Sequence, residues 1–290
     1  MATLLDFRRR IRSVKNTQQI TRAMKFVAAA RLRRAQEAAL AARPYARELA
    51  RVLRSTMARI ESPEHPLLAR REENRILVLF LSGERGLAGA FNTNILKKGA
   101  EFYRSKAGKQ ITAIPIGKKG RDALRRAGFA FAGEYVNVLS RVDLGIAREI
   151  ANLVVELYTE EKVDAVYTIF SEFKSVMSAE LVIEKLLPVE KVVTGEETEV
   201  EAASQVDYIY EQPESELLAK LLPRYVETQV LRSMLESCAA EHAARMTAME
   251  AATKNAGEVI EGLTLHMNKV RQAAITKEII EIVSGASSTA

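Results

Sequence analysis

Residues 13 to 44, "SVKNTQQITRAMKFVAAARLRRAQEAALAARP", contain no glycine and a single proline, at the very end. Ala, Arg, Leu and Gln, all strong helix formers, dominate the stretch. Stepping alternately by four and three from Phe7 meets Ile11, Val14, Gln18, Thr21, Lys25, Ala28, Leu32, Ala35, Ala39 and Ala42. This is a heptad seam whose alanines let a second helix approach closely while burying little area of their own. A helix of this kind, predicted from Leu4 to about Arg59, is marginal without a partner. Pro44 removes one backbone hydrogen bond and predicts a kink near Leu40 to Ala42.

The partner lies at the other end of the chain. After "LLPRYVETQ" (221–229), where Pro223 suits a first-turn position, the same stepping from Leu231 gives Leu235, Cys238, His242, Arg245, Met249, Ala252, Ala256, Val259, Leu263, His266, Val270, Ala273, Lys277 and Ile280. Gly257 and Gly262 each weaken a helix by up to about 1 kcal/mol relative to Ala, yet neither shifts the phase. One helix is expected to run to about Val283 and to end at Ser284 and Gly285. At ~1.5 Å per residue both helices are on the order of 80 Å long. In "MNKVRQAAITKEIIEIVSGA" (267–286) the apolar positions Ala273, Ile275, Ile279, Ile280, Ile282 and Val283 span roughly half the helical wheel, more than a two-helix seam buries. Val270, Ala273 and Ile280 are expected to face the N-terminal helix, which leaves Ile275, Ile279, Ile282 and Val283 for a further surface.

Between the helices the pattern changes to alternating strands and helices. "RILVLFLS" (75–82), "QITAIPIG" (110–117), "FAFAGEY" (129–135) and "VDAVYTIFSEF" (163–173) read as strands, and "VDYIY" (206–210) as a short one. "AFNTNILKKGAEFYRSK" (90–106), "KKGRDALRRAG" (118–128) and "DLGIAREIANLVVELYTEEK" (143–162) read as helices. Near-continuous apolar strands alternating with helices predict a Rossmann-like α/β domain with a mostly parallel sheet. The predicted organisation is a coiled-coil helix over 1–59, a central α/β domain over 75–212 and a second coiled-coil helix over 213–290. A chain that leaves one helix, builds an α/β domain and returns in another makes the two helices antiparallel, a stalk carrying a globular body.

Charge is asymmetric. Residues 1–59 hold 15 Lys or Arg against Asp6, Glu37 and Glu48, a net of +12, whereas the whole chain is +6. The basic helix points to an acidic partner: nucleic acid, an anionic membrane surface or an acidic protein. The longest apolar run, Ile76 to Leu81, is too short to cross a bilayer. The N-terminus lacks the apolar core and cleavage site of a secretory signal, and its helical pattern continues past residue 40, so it reads as mature structure. The lone Cys238 forms no internal disulfide and fits a reducing compartment as a small buried hydrophobe.

A search for catalytic chemistry finds little. Gly83, Gly86 and Gly89 in "LSGERGLAGAFNTN" (81–94) follow a strand and precede a helix, but the spacing is neither GxGxxG nor GxxxxGK[ST], so a tight strand-to-helix turn is expected. His65, His242 and His266 fit no metal spacing, and His242 and His266 fall on the seam. No nucleophile carries an activating motif. Neither a cofactor nor a catalytic role is expected.

"SVKNTQQITRAMKFVAAARLRRAQ" (13–36) and "EHAARMTAMEAATKNAGEVIEGLTLHMNKVRQAAITKEIIEIVSGA" (241–286), with "LSGERGLAGAFNTN", "VDYIYEQP" and "LLPRYVETQ" between them, resemble the γ-subunit family of F-type ATP synthases, essentially end to end. Glu84 stands where that family more often has Asp, and residues 190–204 are the most individual part. The resemblance implies a non-catalytic central rotor shaft inside a ring of α and β subunits, seated on the membrane c ring beside ε, coupling proton flow to ATP synthesis. It implies that Arg271, Gln272 and Thr276 hydrogen-bond a β-subunit loop. Met24 and Lys25 would lie near an acidic β-subunit segment, with Arg8, Arg9 and Arg10 adding complementary charge. Tyr208 and Glu211 would lie at the foot near the c ring. Ile275, Ile279 and Ile282 then become the stripe that the α/β bearing covers. The family's chloroplast insertion with paired cysteines is absent, so no thiol control of that kind is expected. The cytoplasmic face of a bacterial plasma membrane is the expected location, and neither nucleic acid nor a small-molecule substrate is an expected partner. A basic helical nucleic-acid-binding or scaffold protein is the alternative reading, and it predicts salt-sensitive DNA binding.

Overall fold

The computed structural model describes residues 3–57, 65–189 and 214–287. In chain order these form α1 (Leu4–Met57), a 3-10 turn (Pro66–Leu68), β1 (Arg75–Leu81), α2 (Phe91–Ser105), β2 (Gln110–Ile116), α3 (Lys118–Arg126), β3 (Ala130–Phe131), α4 (Leu144–Thr159), β4 (Ala165–Ser175), β5 (Ser178–Leu187) and α5 (Glu214–Ser287). The residues group into two compact units, Ala29–Ala244 and Met1–Ala28 with Arg245–Ala290.

In the larger unit five strands make one sheet in the order β3-β2-β1-β4-β5. The first four run parallel, with Ile76 opposite both Ile111 and Ala165, while β5 runs antiparallel to β4. The period of two along β1 divides its side chains between two cores. Ile76, Val78 and Phe80 pack with Ile95 and Phe102 of α2 and Leu124 of α3. Leu77, Leu79 and Leu81 pack with Ile150 and Val154 of α4, Leu49 and Leu53 of α1, and Leu222 and Val226 of α5. Both faces of the sheet are therefore covered, which is why β1 is an unbroken apolar run rather than an alternating one. Burying a side chain the size of Phe80 contributes about 1.5–3 kcal/mol.

Phe80 also explains two glycines. A Cβ on Gly99 would lie 2.6 Å from its ring, and one on Gly120 would lie 2.8 Å from it, so α2 and α3 come close to the sheet only because both positions lack a side chain. Asp143 caps α4 by accepting a hydrogen bond from the Gly145 N–H at 3.0 Å. The strand β5 has no counterpart in the sequence reading. Helix α5 begins at Glu214, so Pro223 is internal to it rather than in its first turn. The expected strand 206–210 and the connection 190–204 lie outside the described residues.

In the smaller unit the start of α1 and the second half of α5 run antiparallel. Thr3 and Asp6 form a capping box: the Asp6 carboxylate accepts from the Thr3 N–H at 3.0 Å, and the Asp6 N–H donates to Thr3 Oγ1 at 3.3 Å. Phe7 packs against His266 with ring centroids 5.0 Å apart and the rings tilted at 53°, the hydroxyls of Thr21 and Thr253 lie 2.8 Å apart, and Lys25 pairs with Glu250. On α1 the expected seam from Phe7 to Ala28 is buried or half-buried throughout.

On α5 the register differs from the sequence reading. The covered track is Met249, Thr253, Ala256, Ile260, Leu263, Met267 and Val270, whereas Val259 is 49% exposed and His266 is exposed. Val259 is thus displaced by Ile260, while Ala252 is half-buried beside Thr253 and His266 still meets Phe7. Thr253 meets Thr21, its backbone carbonyl accepts from Gln18 Nε2 at 3.3 Å, and Gly257 lies beside the same amide. Small and polar residues at these points draw the backbones together on that side.

Candidate functional site

Beyond Val270 the turns of α5 are largely exposed, and among the described residues Phe7 of α1 lies against His266. Ala273 and Ile280, expected to face α1, are exposed, Ile280 by 59%. Ile275, Ile279, Ile282 and Val283 are also exposed, as the sequence reading expected, and Ile282 reaches 71%. Spacings of four, four and three set Arg271, Ile275, Ile279 and Ile282 in one stripe. Gln272 and Thr276 are exposed beside it, and Thr276 Oγ1 donates to the Gln272 carbonyl at 2.9 Å. The hydroxyl oxygen keeps its acceptor capacity for an outside donor. Lys277 and Glu281 form a pair at 3.6 Å across one turn.

The outer face of α1 carries a second surface. Arg8, Arg9 and Arg10 are exposed and have no carboxylate partner among the described residues. The field of Arg9 and Arg10 reaches Asp6, whose carboxyl is held below its ordinary range first by the hydrogen bonds from Thr3 and then by these two charges. Lys25 differs from them, because Glu250 neutralises it within the coiled coil. Met24 is half-buried and continues a row that the sequence reading missed: Ile20 and Val27, exposed by 60% and 54%, lie four before it and three after it, with Phe26 alongside. Their signal was present as apolar residues lying off the heptad seam. Tyr208 and Glu211 lie outside the described residues.

The turn after β1 has a different character. Its glycines form a tight turn in which Leu87 and Gly89 adopt positive φ. The turn leads into α2, and across from it the first N–H groups of α3, the helix that follows β2, are engaged by the chain's own groups. The Lys118 N–H donates to Glu84 Oε2 at 3.1 Å, Lys119 N–H to the Gly83 carbonyl at 3.0 Å, and Gly120 N–H to Ser82 Oγ at 2.6 Å. Glu84 Oε1 also accepts from the Leu139 N–H at 3.4 Å.

The histidines and the cysteine serve packing and capping. His65 Nδ1 accepts from the Leu67 N–H at 3.1 Å, and burial lowers its pKa. His242 is buried in α5, and the Cys238 thiol donates to the Leu139 carbonyl at 3.2 Å. Among the described residues no group of side chains could hold a metal ion, and no helix is long and apolar enough to cross a membrane.

A family model described as ATP synthase matches residues 3–289. The ATP synthase gamma chain of Solibacter usitatus is 51% identical over 291 residues, covering 99% of both chains. That of Pelotomaculum thermopropionicum is 45% identical over 287 residues, again covering 99% of each. Among solved structures, a chain of the Euglena gracilis mitochondrial ATP synthase in rotational state 3 superposes with a TM-score of 0.68 at 20% identity, covering 99% of this chain and 94% of that one. A chain from the central stalk and c ring of the Tetrahymena thermophila mitochondrial enzyme gives 0.60 at 23%, covering 80% of this chain and 99% of that one. The structural likenesses show the fold, and the sequence matches over almost the full length show that the chain belongs to the ATP synthase γ family.

Proposed function

We propose that the chain is the central-stalk rotor subunit of a proton-translocating F-type ATP synthase, non-catalytic itself and part of a membrane-associated complex. The observation that carries this reading is the end of α5, where Ile275, Ile279 and Ile282 are exposed. A helix end of that kind needs a surrounding apolar surface, and a ring of α and β subunits supplies one. Arg271, Gln272 and Thr276 then present donors and acceptors to a β-subunit loop beside the stripe. Arg8, Arg9 and Arg10, with Met24 and its neighbours Ile20 and Val27, form the second contact with the ring. Lys25 contributes through its bond to Glu250 rather than as a free charge.

The ε subunit and the c ring are the partners on the other side, through Tyr208 and Glu211, and the complex sits on the cytoplasmic face of a bacterial plasma membrane. The three segments, 1–59, 75–212 and 213–290, divide these tasks. A rotor must leave each of three stops, and exposed ion pairs worth roughly 0–1 kcal/mol each suit that better than a large dry interface. The reading as a basic nucleic-acid-binding or scaffold protein falls away with the family assignment.

The test is reconstitution of the complete synthase with Ile275, Ile279 and Ile282 all replaced by Ser. The expected result is a chain that folds normally but assembles loosely with α and β and loses most proton-driven ATP synthesis. Unchanged synthesis and unchanged assembly would remove the bearing role from this stripe.

A further inference from the structure

The larger unit holds a cavity of about 220 Å³ bounded by α1, the start of α4 and the part of α5 from Arg224 to Glu236. Its apolar lining includes Ala42 and Tyr45 of α1, Leu144 of α4, and Leu231 and Leu235 of α5. Three of the four arginines that line it are already paired: Arg43 with Glu236 at 3.0 Å, Arg148 with Glu227 at 3.1 Å, and Arg232 with Glu172 at 3.5 Å. The fourth, Arg224, is exposed and has no carboxylate partner among the described residues. A cavity with apolar walls and one uncompensated guanidinium selects for an apolar body bearing a single negative charge. A guanidinium fork favours a carboxylate in particular, which it grips through two parallel hydrogen bonds.

Size narrows the class. The cavity is below the ~300–1,000 Å³ of sites for drug-sized ligands. At ~30 Å³ per water-sized atom it accommodates about seven heavy atoms. We propose that this cavity is a binding site for a small amphipathic monocarboxylate, its apolar body of about seven heavy atoms among Ala42, Tyr45, Leu144, Leu231 and Leu235 and its carboxylate on Arg224. Both halves are needed, because an exposed ion pair alone binds little and the apolar body alone leaves the cation unused. The site is independent of the bearing surface and lies wholly within residues 29–244.

Octanoate is the probe, with octanol and octylamine as its neutral and cationic counterparts, titrated into the full chain by calorimetry or ligand-observed NMR. The expected result is saturable binding of octanoate at one site, at least about tenfold tighter than either counterpart. Arg224→Gln, an exposed change, should weaken octanoate to the level of octanol. Ala42→Phe should abolish binding by filling the cavity, with circular dichroism confirming that the variant is folded. The proposal is overturned if the three probes bind equally, if Arg224→Gln leaves octanoate affinity unchanged, or if octanoate fails to saturate any site at about 20 mM, close to the weak end of specific binding. Binding that survives Ala42→Phe in a folded chain overturns it as well. Should Ala42→Phe fail to fold, the Arg224→Gln comparison decides alone.

Discussion

Glu84 shows how a single side chain can change what a loop does. The turn around it joins β1 to α2, and its carboxylate reaches across to accept from the Lys118 N–H at the start of α3 and from the Leu139 N–H, tying three segments together. Replacing it by Ala should leave both donors short of a partner at a cost of about 2 kcal/mol, read as a lowered urea midpoint with the fold retained. Glu73 offers a pH test. Burial alone would raise its pKa, but bonds from Lys106 at 2.6 Å, Lys185 at 3.0 Å and Tyr167 at 2.9 Å outweigh that and bring it from its ordinary 4.5 down to about 2. A depressed carboxylate stabilises the fold above its unfolded pKa and loses that contribution as pH falls through the folded value. Denaturation midpoints of the Glu73→Gln variant should therefore fall less steeply than those of the parent chain between pH 4.5 and about 2.

At the scale of elements, the coiled-coil register is the sharpest point. Ile260 lies on the covered track and Val259 is 49% exposed, although the periodicity placed Val259 on the seam. Ile260→Ser should destabilise the chain by about 1–2 kcal/mol, and Val259→Ser should remain within about 0.5 kcal/mol of the parent. Thermal unfolding of the two variants side by side checks the assignment, and equal losses would restore the other register. Strand β5 was illegible for a related reason. "SAELVIEKLL" contains Glu, Lys and Leu suited to a helix, and its first three residues are exposed. It becomes a strand because β4 offers an edge along Val166 to Ser175, where the Glu184 and Lys185 positions oppose Thr168 and Tyr167. Tertiary pairing overrides local propensity here.

Across the whole molecule, charge and apolar surface are segregated along the chain. The net of +12 over residues 1–59 is set against −6 over the rest, and the long exposed apolar row of α5 lies past Val270. Replacing Arg8, Arg9 and Arg10 together by Gln touches only exposed side chains, so the melting temperature should change by no more than about 2 °C. Proton-driven ATP synthesis by the reconstituted complex should fall by a larger factor than its assembly yield. Equal synthesis in parent and variant would leave these charges without a coupling role.

The sequence by itself determined the two long helices, the alternating strands and helices between them, and the surplus of isoleucines at the end of α5. These features arise from patterns of helix propensity and apolar spacing that act over a few neighbouring residues. Only the tertiary structure decided the antiparallel β5, the track through Thr253 and Ile260, and the bridge from Glu84 to Lys118 and Leu139. Two of them depend on partners distant in the sequence, Thr21 and Gln18 for the track and Lys118 and Leu139 for the Glu84 carboxylate, while β5 depends on the edge of β4, with two residues between the strands. The register of α1 on α5 belongs to the same group. Two segments with good seams fix how they pair only through the contacts they make, here Phe7 against His266, Thr21 against Thr253 and Lys25 against Glu250.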